Sequence, residues 1–392
     1  MTEPIKKPAL RPVVSRFSCG PCTKFPGWSP DILKNACLGR SHCSAKGREK
    51  LKRALTLTRK VLQAPDSHLI AIVPASDTGA MELAMWSLLG VRGVDVLAWD
   101  AFGARWGDDI VNHLKLVNAR IIGADYGALP DLSAVDFSRD VIFTWNGTSS
   151  GVRVPDGEWI PDSRHGLTIC DATSAAFAQR LEFHKLDVVT FSWQKALGGE
   201  AQHGILILSP RAVERLESYT PPWPLPKLFR MTREGKLNTE LFEGVTINTP
   251  SMLCVEDYLM ALQWACAIGG LEALIARADD NARIIAEWVG RTRWVSFLAR
   301  DVATRSNTSV CLRLSDAISE GLSAHEIAAL PGRIVSLLEA QGVCFDIASH
   351  RNAPAGLRIW CGPTVEKSDI AALPAWLDWA FEQTLRELRS AA

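Results

Sequence analysis

The chain has 392 residues, 47% of them apolar, with 43 basic and 43 acidic residues and a formal net charge of zero. That length suits a large core and two or three domains, and the neutral balance gives no basic footprint, so no nucleic-acid partner is expected. No uninterrupted apolar run is long enough to span a bilayer, and Met1 to Pro12 lacks the apolar core of a signal peptide. A cytoplasmic protein with no membrane partner is the expectation.

Residues 1–15 read as an N-terminal tail. The ten cysteines are scattered at irregular intervals, the usage of reduced core thiols rather than of a disulfide framework. Cys19-Gly20-Pro21-Cys22, with Cys37 and His42-Cys43, has the outline of a dithiol or zinc site. However, the prolines between Thr23 and Pro30 make a poor helix start for a redox motif, and no metal is expected. Leu51, Ala54, Leu55, Val61 and Leu62 recur at helical spacing over Gly47 to Gln63, a helix with a basic outer face.

Strand-like and helix-like stretches then alternate: Leu69 to Val73, a helix from Gly79, Val94 to Trp99, a helix near Arg105 to Leu116, Arg120 to Gly123, and Asp140 to Trp145. With Leu167 to Cys170, Leu186 to Phe191 and a hairpin-like return at Gly204 to Leu208, the βαβ rhythm predicts one large sheet of about seven strands. Thr220 to Pro250, with Pro221, Pro222, Pro224 and Pro226, has no periodicity and reads as a long ordered loop or an oligomer contact. Helices are predicted over Cys254 to Ile268 and Leu271 to Val289. Strand-like Ser309 to Leu314, Val343 to Ile347 and Leu357 to Cys361, with helices near Ala324 to Ala340 and Ser368 to Leu388, predict a smaller α+β unit. The expected division is a large domain over 16–275 and a small one over 276–392.

Two of the predicted strands carry the chemistry. Leu167 to Cys170 ends in Asp171, and Leu186 to Phe191 runs into Ser192-Trp193-Gln194-Lys195, so an acid and an amine both stand where ligands bind in open α/β sheets. A lysine Schiff base on an aldehyde cofactor, with an aspartate holding the pyridinium nitrogen protonated, is the pairing that pyridoxal-phosphate chemistry needs. Val73-Pro74-Ala75-Ser76-Asp77-Thr78-Gly79 joins a strand to a helix, where free amides can bind a phosphate. Trp106 follows another strand and can stack on a planar ring, although core burial is the commoner fate of a tryptophan.

In chain order, Phe17-Ser18-Cys19-Gly20-Pro21, Gly39-Arg40-Ser41-His42, Ser76-Asp77-Thr78-Gly79, Trp106, Trp145-Asn146-Gly147-Thr148, Asp171-Ala172-Thr173-Ser174, Ser192-Trp193-Gln194-Lys195, Ile247-Asn248-Thr249-Pro250 and Gly356-Leu357-Arg358 resemble the phosphoserine aminotransferase family. These are class V pyridoxal-phosphate enzymes, and the match is to the archaeal and bacterial branch. The resemblance implies the aspartate-aminotransferase-like fold type I, an α/β large domain with a mostly parallel sheet plus a smaller C-terminal α+β domain. It implies pyridoxal 5'-phosphate bound covalently by Lys195, which also shuttles the proton, with Asp171 at the ring nitrogen, Trp106 on the ring face and Thr148 at the phenolic oxygen. It puts the Asp77 and Thr78 amides with Gln194 on the cofactor phosphate, and Asn248 and Thr249 on it from a second subunit, hence a homodimer with shared sites. Arg358 is implied for the substrate carboxylate, with His42 near its phosphate.

The family continues Ser-His-Arg where this chain has Ser41-His42-Cys43, exchanging a planar cationic fork for a neutral thiol. Arg40, Lys46 and Arg48 are close enough in sequence to replace it. The implied reaction converts 3-phosphohydroxypyruvate and glutamate to phosphoserine and 2-oxoglutarate, for serine biosynthesis, with a second phosphorylated substrate on the way to pyridoxine. Cys43 leaves open a class V transaminase for an unphosphorylated substrate, of the serine or alanine–glyoxylate type.

Overall fold

The computed structural model describes residues 6–315, 318 and 322–391. The first long helix, α1 (Ala45–Leu62), starts where the Ser44 side chain accepts from the Gly47 amide, and buries Leu51, Ala54, Leu55, Val61 and Leu62. Then come β1 (Leu69–Pro74), α2 (Ser76–Leu88), β2 (Val94–Ala98), α3 (Ala101–Asp108), β3 (Ala119–Gly123), β4 (Asp140–Thr144), the two-residue strands β5 (Asn146–Gly147) and β6 (Val152–Arg153), β7 (Thr168–Asp171), β8 (Val188–Ser192) and β9 (His203–Leu208). Every residue of β4, β7, β8 and β9 is buried, the pattern of strands covered on both faces.

Seven strands form one sheet in the order β1-β9-β8-β7-β4-β2-β3. Neighbours from β8 to β3 run parallel, whereas β9 is antiparallel to both β8 and β1. β9 is therefore the return stroke expected at Gly204 to Leu208, inserted between two strands rather than closing a tight hairpin. The connection that precedes it, residues 193–202, carries Lys195.

After α4 (Pro210–Ser218), the proline-rich stretch is ordered as short 3-10 turns and the small hairpin of β10 (Thr232–Arg233) and β11 (Lys236–Leu237). It is held on α2 by the Trp223 indole, which donates to the Trp86 carbonyl at 2.9 Å, and by Ser87 Oγ, which donates to the Phe229 carbonyl at 2.9 Å. α5 (Met252–Ala267) and α6 (Gly270–Arg291) lead to a three-stranded antiparallel sheet of β12 (Val295–Phe297), β13 (Ser309–Leu314) and β14 (Gly356–Trp360), with α7 (Ala324–Ala340) and α8 (Lys367–Ala391). Among the described residues no single helix is long and apolar enough to cross a membrane; α5 and α6 together meet that test only as a pair bent by 88°. The first described residues lie against the C-terminal part, with the Leu10 carbonyl accepting from the Trp376 indole and the Val13 amide donating to Asp369.

Three local expectations are corrected. α2 starts at Ser76 rather than Gly79, because Ala75 in the left-handed conformation (φ 65°) ends the strand and puts Ser76 and Asp77 into the first turn. α3 starts at Ala101, since Asp100 caps the Phe102 and Gly103 amides, and it passes into a π-helical turn over Asp109–His113 instead of continuing to Leu116. Val343 to Ile347 forms no strand: Asp346 sits at φ 62°, breaking the extended run, and only isolated bridges join Phe345 to Arg16 and Ala348 to Leu357. β12 lies outside the predicted strands and pairs with β13.

Candidate active site

Strand register brings three C-terminal strand ends level. Thr144 on β4 pairs with Asp171 on β7, which pairs on its other side with Thr190 on β8. β8 ends at Ser192, and Trp193 anchors the turn that follows: its indole stacks on Tyr258 at 4.3 Å between centroids and meets the edge of His203 at 4.9 Å. Two residues later the Lys195 ammonium reaches the Cys19 carbonyl, and the Cys22 amide donates to the Gln194 carbonyl at 2.8 Å. The Cys19 to Cys22 segment is thus one wall of the lysine's chamber. Gly20 in it has φ 137°, and a Cβ there would run into the Lys195 side chain.

Opposite, α2 opens at Ser76, and the amides of its first turn have no acceptor within the helix. From α3 the Trp106 indole donates to Asp171 Oδ2 at 3.2 Å, while the Thr173 amide donates to Oδ1 at 2.9 Å, so both carboxylate oxygens are oriented. Thr148 Oγ donates to Ser174 Oγ at 2.7 Å, and Asn146 Nδ2 to the same oxygen at 2.8 Å.

These parts enclose a cavity of about 360 Å³, within the usual range for small-ligand sites, lined by Asp77, Thr78, Trp106, Thr148, Asp171, Gln194 and Lys195. Gly20, Thr144, Thr173 and Ser192 line it as well. Sequence reasoning gave these four no role of their own, although Ser192, the first residue past the predicted strand Leu186 to Phe191, offered the same signal as Asp171 past Leu167 to Cys170. Asp77 is buried, and burial, with the Asp171 carboxylate second, pushes its carboxyl well above the ordinary range. Burial likewise raises the Cys22 thiol against the opposing pull of Lys195.

Other expected residues stand elsewhere. Arg40 is exposed in the turn before α1, and His42 beside it is half-buried, its Nε2 3.3 Å from the thiol of exposed Cys43; none of the three lines the cavity. Asn248 and Thr249 are exposed ahead of α5. Arg358, half-buried on β14, leaves Nε buried without a partner, and its carbonyl accepts from the Cys19 thiol at 3.8 Å. Cys19, Cys22 and Cys37 are buried free thiols, and among the described residues no three His, Cys, Asp or Glu side chains form a group able to hold a metal.

The cavity suits a phosphorylated pyridine aldehyde. Its lining offers the first-turn amides of α2, the Asp171 carboxylate and the Lys195 amine, with the Lys195 side chain against the Cys19 carbonyl. Thr144 Oγ, Ser192 Oγ and Gln194 Oε1 are buried polar atoms with no partner among the described residues, as expected of a site that a polar ligand completes.

No family model matches the chain. It is 54% identical over 376 residues to a phosphoserine aminotransferase of Methanosarcina mazei, a match covering 96% of this chain and 99% of that one. Among solved structures, a phosphoserine aminotransferase from Cytophaga hutchinsonii superposes with a TM-score of 0.78 at 20% identity, covering 95% of this chain and 99% of that one. An alanine–glyoxylate aminotransferase from Nostoc superposes with a TM-score of 0.74 at 19% identity, covering 97% and 98%. The structural likeness therefore establishes the fold, and the choice between these activities rests on the far higher sequence identity.

Proposed function

The chain belongs to the phosphoserine aminotransferase family, pyridoxal-phosphate-dependent transferases, and from that premise we propose that this cavity converts 3-phosphohydroxypyruvate and L-glutamate to O-phospho-L-serine and 2-oxoglutarate. The observation that carries the reading is the convergence of Lys195, Asp171 and the start of α2 on one cavity. When bound, the cofactor supplies an aldehyde to receive the amino group and a conjugated ring to take up the electrons of the broken Cα–H bond.

The chain's own groups supply the rest. Lys195 Nζ holds the cofactor and moves the proton between substrate Cα and cofactor. Asp171 keeps the ring nitrogen protonated, its two oxygens aimed by Trp106 and Thr173. The Asp77 and Thr78 amides with Gln194 bind the cofactor phosphate, Trp106 covers the ring and Thr148 meets its phenolic oxygen. Arg358, with its unpartnered Nε, takes the substrate carboxylate.

Asn248 and Thr249, exposed and outside their own chain's cavity, are assigned to the cofactor phosphate of a second copy. His42 and Arg40 are assigned to the substrate phosphate, and the enzyme to a homodimer. Ten unpaired thiols support a cytoplasmic setting. The seven-stranded sheet inside 16–275 and the three-stranded one inside 276–392 support that domain division. A second phosphorylated substrate, leading to pyridoxine, fits the same groups.

Borohydride reduction of the holoenzyme followed by peptide mapping should place the cofactor on Lys195. Half-reactions with phosphoserine, glutamate, serine and alanine should then proceed with the first two. A label on another lysine, or serine and alanine outpacing phosphoserine, would overturn the reading, and the latter result would favour the unphosphorylated-substrate transaminase.

A further inference from the structure

Beneath the cavity, α2 points an acid at the strand ends. Asp77 lies in the first turn of α2, lines the same cavity as Asp171, and has a buried Oδ1 with no hydrogen-bond partner among the described residues. Its carboxyl stands beside those of its surroundings that can share a proton: Asp171 on β7, Thr173 just after it and Thr190 on β8. The Thr173 and Thr190 hydroxyls are buried and have no other partner among the described residues. Two carboxyl groups side by side in a buried site do not both ionise, because the second charge lacks both water and a counter-ion.

We propose that Asp77 is a neutral carboxylic acid that donates its proton to Asp171, so that the pair carries one negative charge and Asp77 serves as a positioning residue for the carboxylate that faces the cofactor's ring nitrogen. This rests on the pyridoxal-phosphate reading of the cavity and adds a role for the Asp77 side chain, where that reading uses only its amide. Burial and the neighbouring Asp171 both push the Asp77 carboxyl upward, the direction that a proton held on Asp77 requires. A neutral Asp77 also removes a conflict, since a carboxylate three bonds from a phosphate-binding amide nitrogen would repel the phosphate that the amide holds.

Further titratable groups around the pair are Cys170 on β7, buried Asp100 at the cap of α3, Lys195 after β8, Arg105 and Asp108 on α3, and Asp109 in the π turn. Lys195 and Arg105 are the cations among them, and neither forms an ion pair with Asp77 among the described residues.

The test compares Asp77→Asn, which keeps a neutral donor, with Asp77→Leu, which keeps the volume and removes it; Asp77→Ala substitutes if the leucine variant does not fold. The readouts are the dissociation constant of pyridoxal 5'-phosphate from the holoenzyme and the pH midpoint of its visible absorbance. Asp77→Asn should hold the dissociation constant within about threefold of the parent, whereas Asp77→Leu should raise it about tenfold or more and shift the midpoint. An asparagine variant as impaired as the leucine one would show that charge matters rather than a neutral donor, and a leucine variant matching the parent would show that the side chain has no role. Either overturns the proposal while leaving the cofactor reading intact. A parent that fails to bind pyridoxal 5'-phosphate overturns both.

Discussion

Two sets of residues implied by one resemblance have opposite structural situations. Asp171, Lys195, Trp106 and Thr148 are buried, hydrogen-bonded to named partners and converge on one cavity, whereas Arg40, Asn248 and Thr249 are exposed on connecting segments away from it. Asp171 and Lys195 sit at or just past strand ends whose register is locked by sheet pairing, Thr148 follows β5, and Trp106 on α3 is hydrogen-bonded to Asp171, so one chain suffices to assemble the set. The second set sits on loops, which one chain leaves without a ligand to face. The difference separates what a single copy preorganises from what the proposed homodimer would complete.

The strongest way to break this contrast is at Asp171. Asp171→Asn keeps the hydrogen-bonding shape and removes the charge, and should lower kcat by about 10²–10³-fold while weakening cofactor binding less. Single-turnover kinetics with phosphoserine check it; near-parental turnover would reduce Asp171 to a strand-end cap. Next is Gly20→Ala, which places a methyl group against the Lys195 side chain at a left-handed φ. About 1–3 kcal/mol of destabilisation is expected, together with loss of borohydride labelling at Lys195, both readable by melting and mass mapping.

His203 sharpens the boundary between the two sets, because its Nε2 accepts from the Ser251 amide at 3.1 Å while its ring packs on Trp193, linking the lysine segment to the Asn248–Thr249 segment. Burial pushes the imidazole down to about 4. A folded-state value below the unfolded one of about 6.5 means that unfolded chains protonate first. His203 should therefore contribute stability fully above about pH 6.5, losing up to about 3 kcal/mol as pH falls to about 4. His203→Gln should flatten that acid limb in a melting series across pH 4–7, and an unchanged slope would remove the assignment. The smallest effect belongs to the exposed set: Cys43→Arg should improve kcat/KM for phosphoserine by a few fold, roughly one charge-assisted hydrogen bond in part-screened surroundings, and leave alanine unchanged. An equal gain for alanine would disconnect this turn from phosphate recognition.

Local patterns in the chain were enough for the alternating α/β order, the seven-stranded sheet and the strand-end positions of Asp171 and Lys195, because burial on both faces writes continuous apolar runs and the chemistry interrupts them. The resemblance added roles that no spacing could supply. Helix starts set by a left-handed Ala75 or the Asp100 cap, and the extended run broken at Asp346, were not legible, since single backbone torsions leave no periodic trace. Tertiary structure alone decided that the Cys19 to Cys22 segment walls in Lys195 and that Asp77 meets Asp171, because both contacts join segments about a hundred or more residues apart, and only sheet register and helix packing bring such segments together.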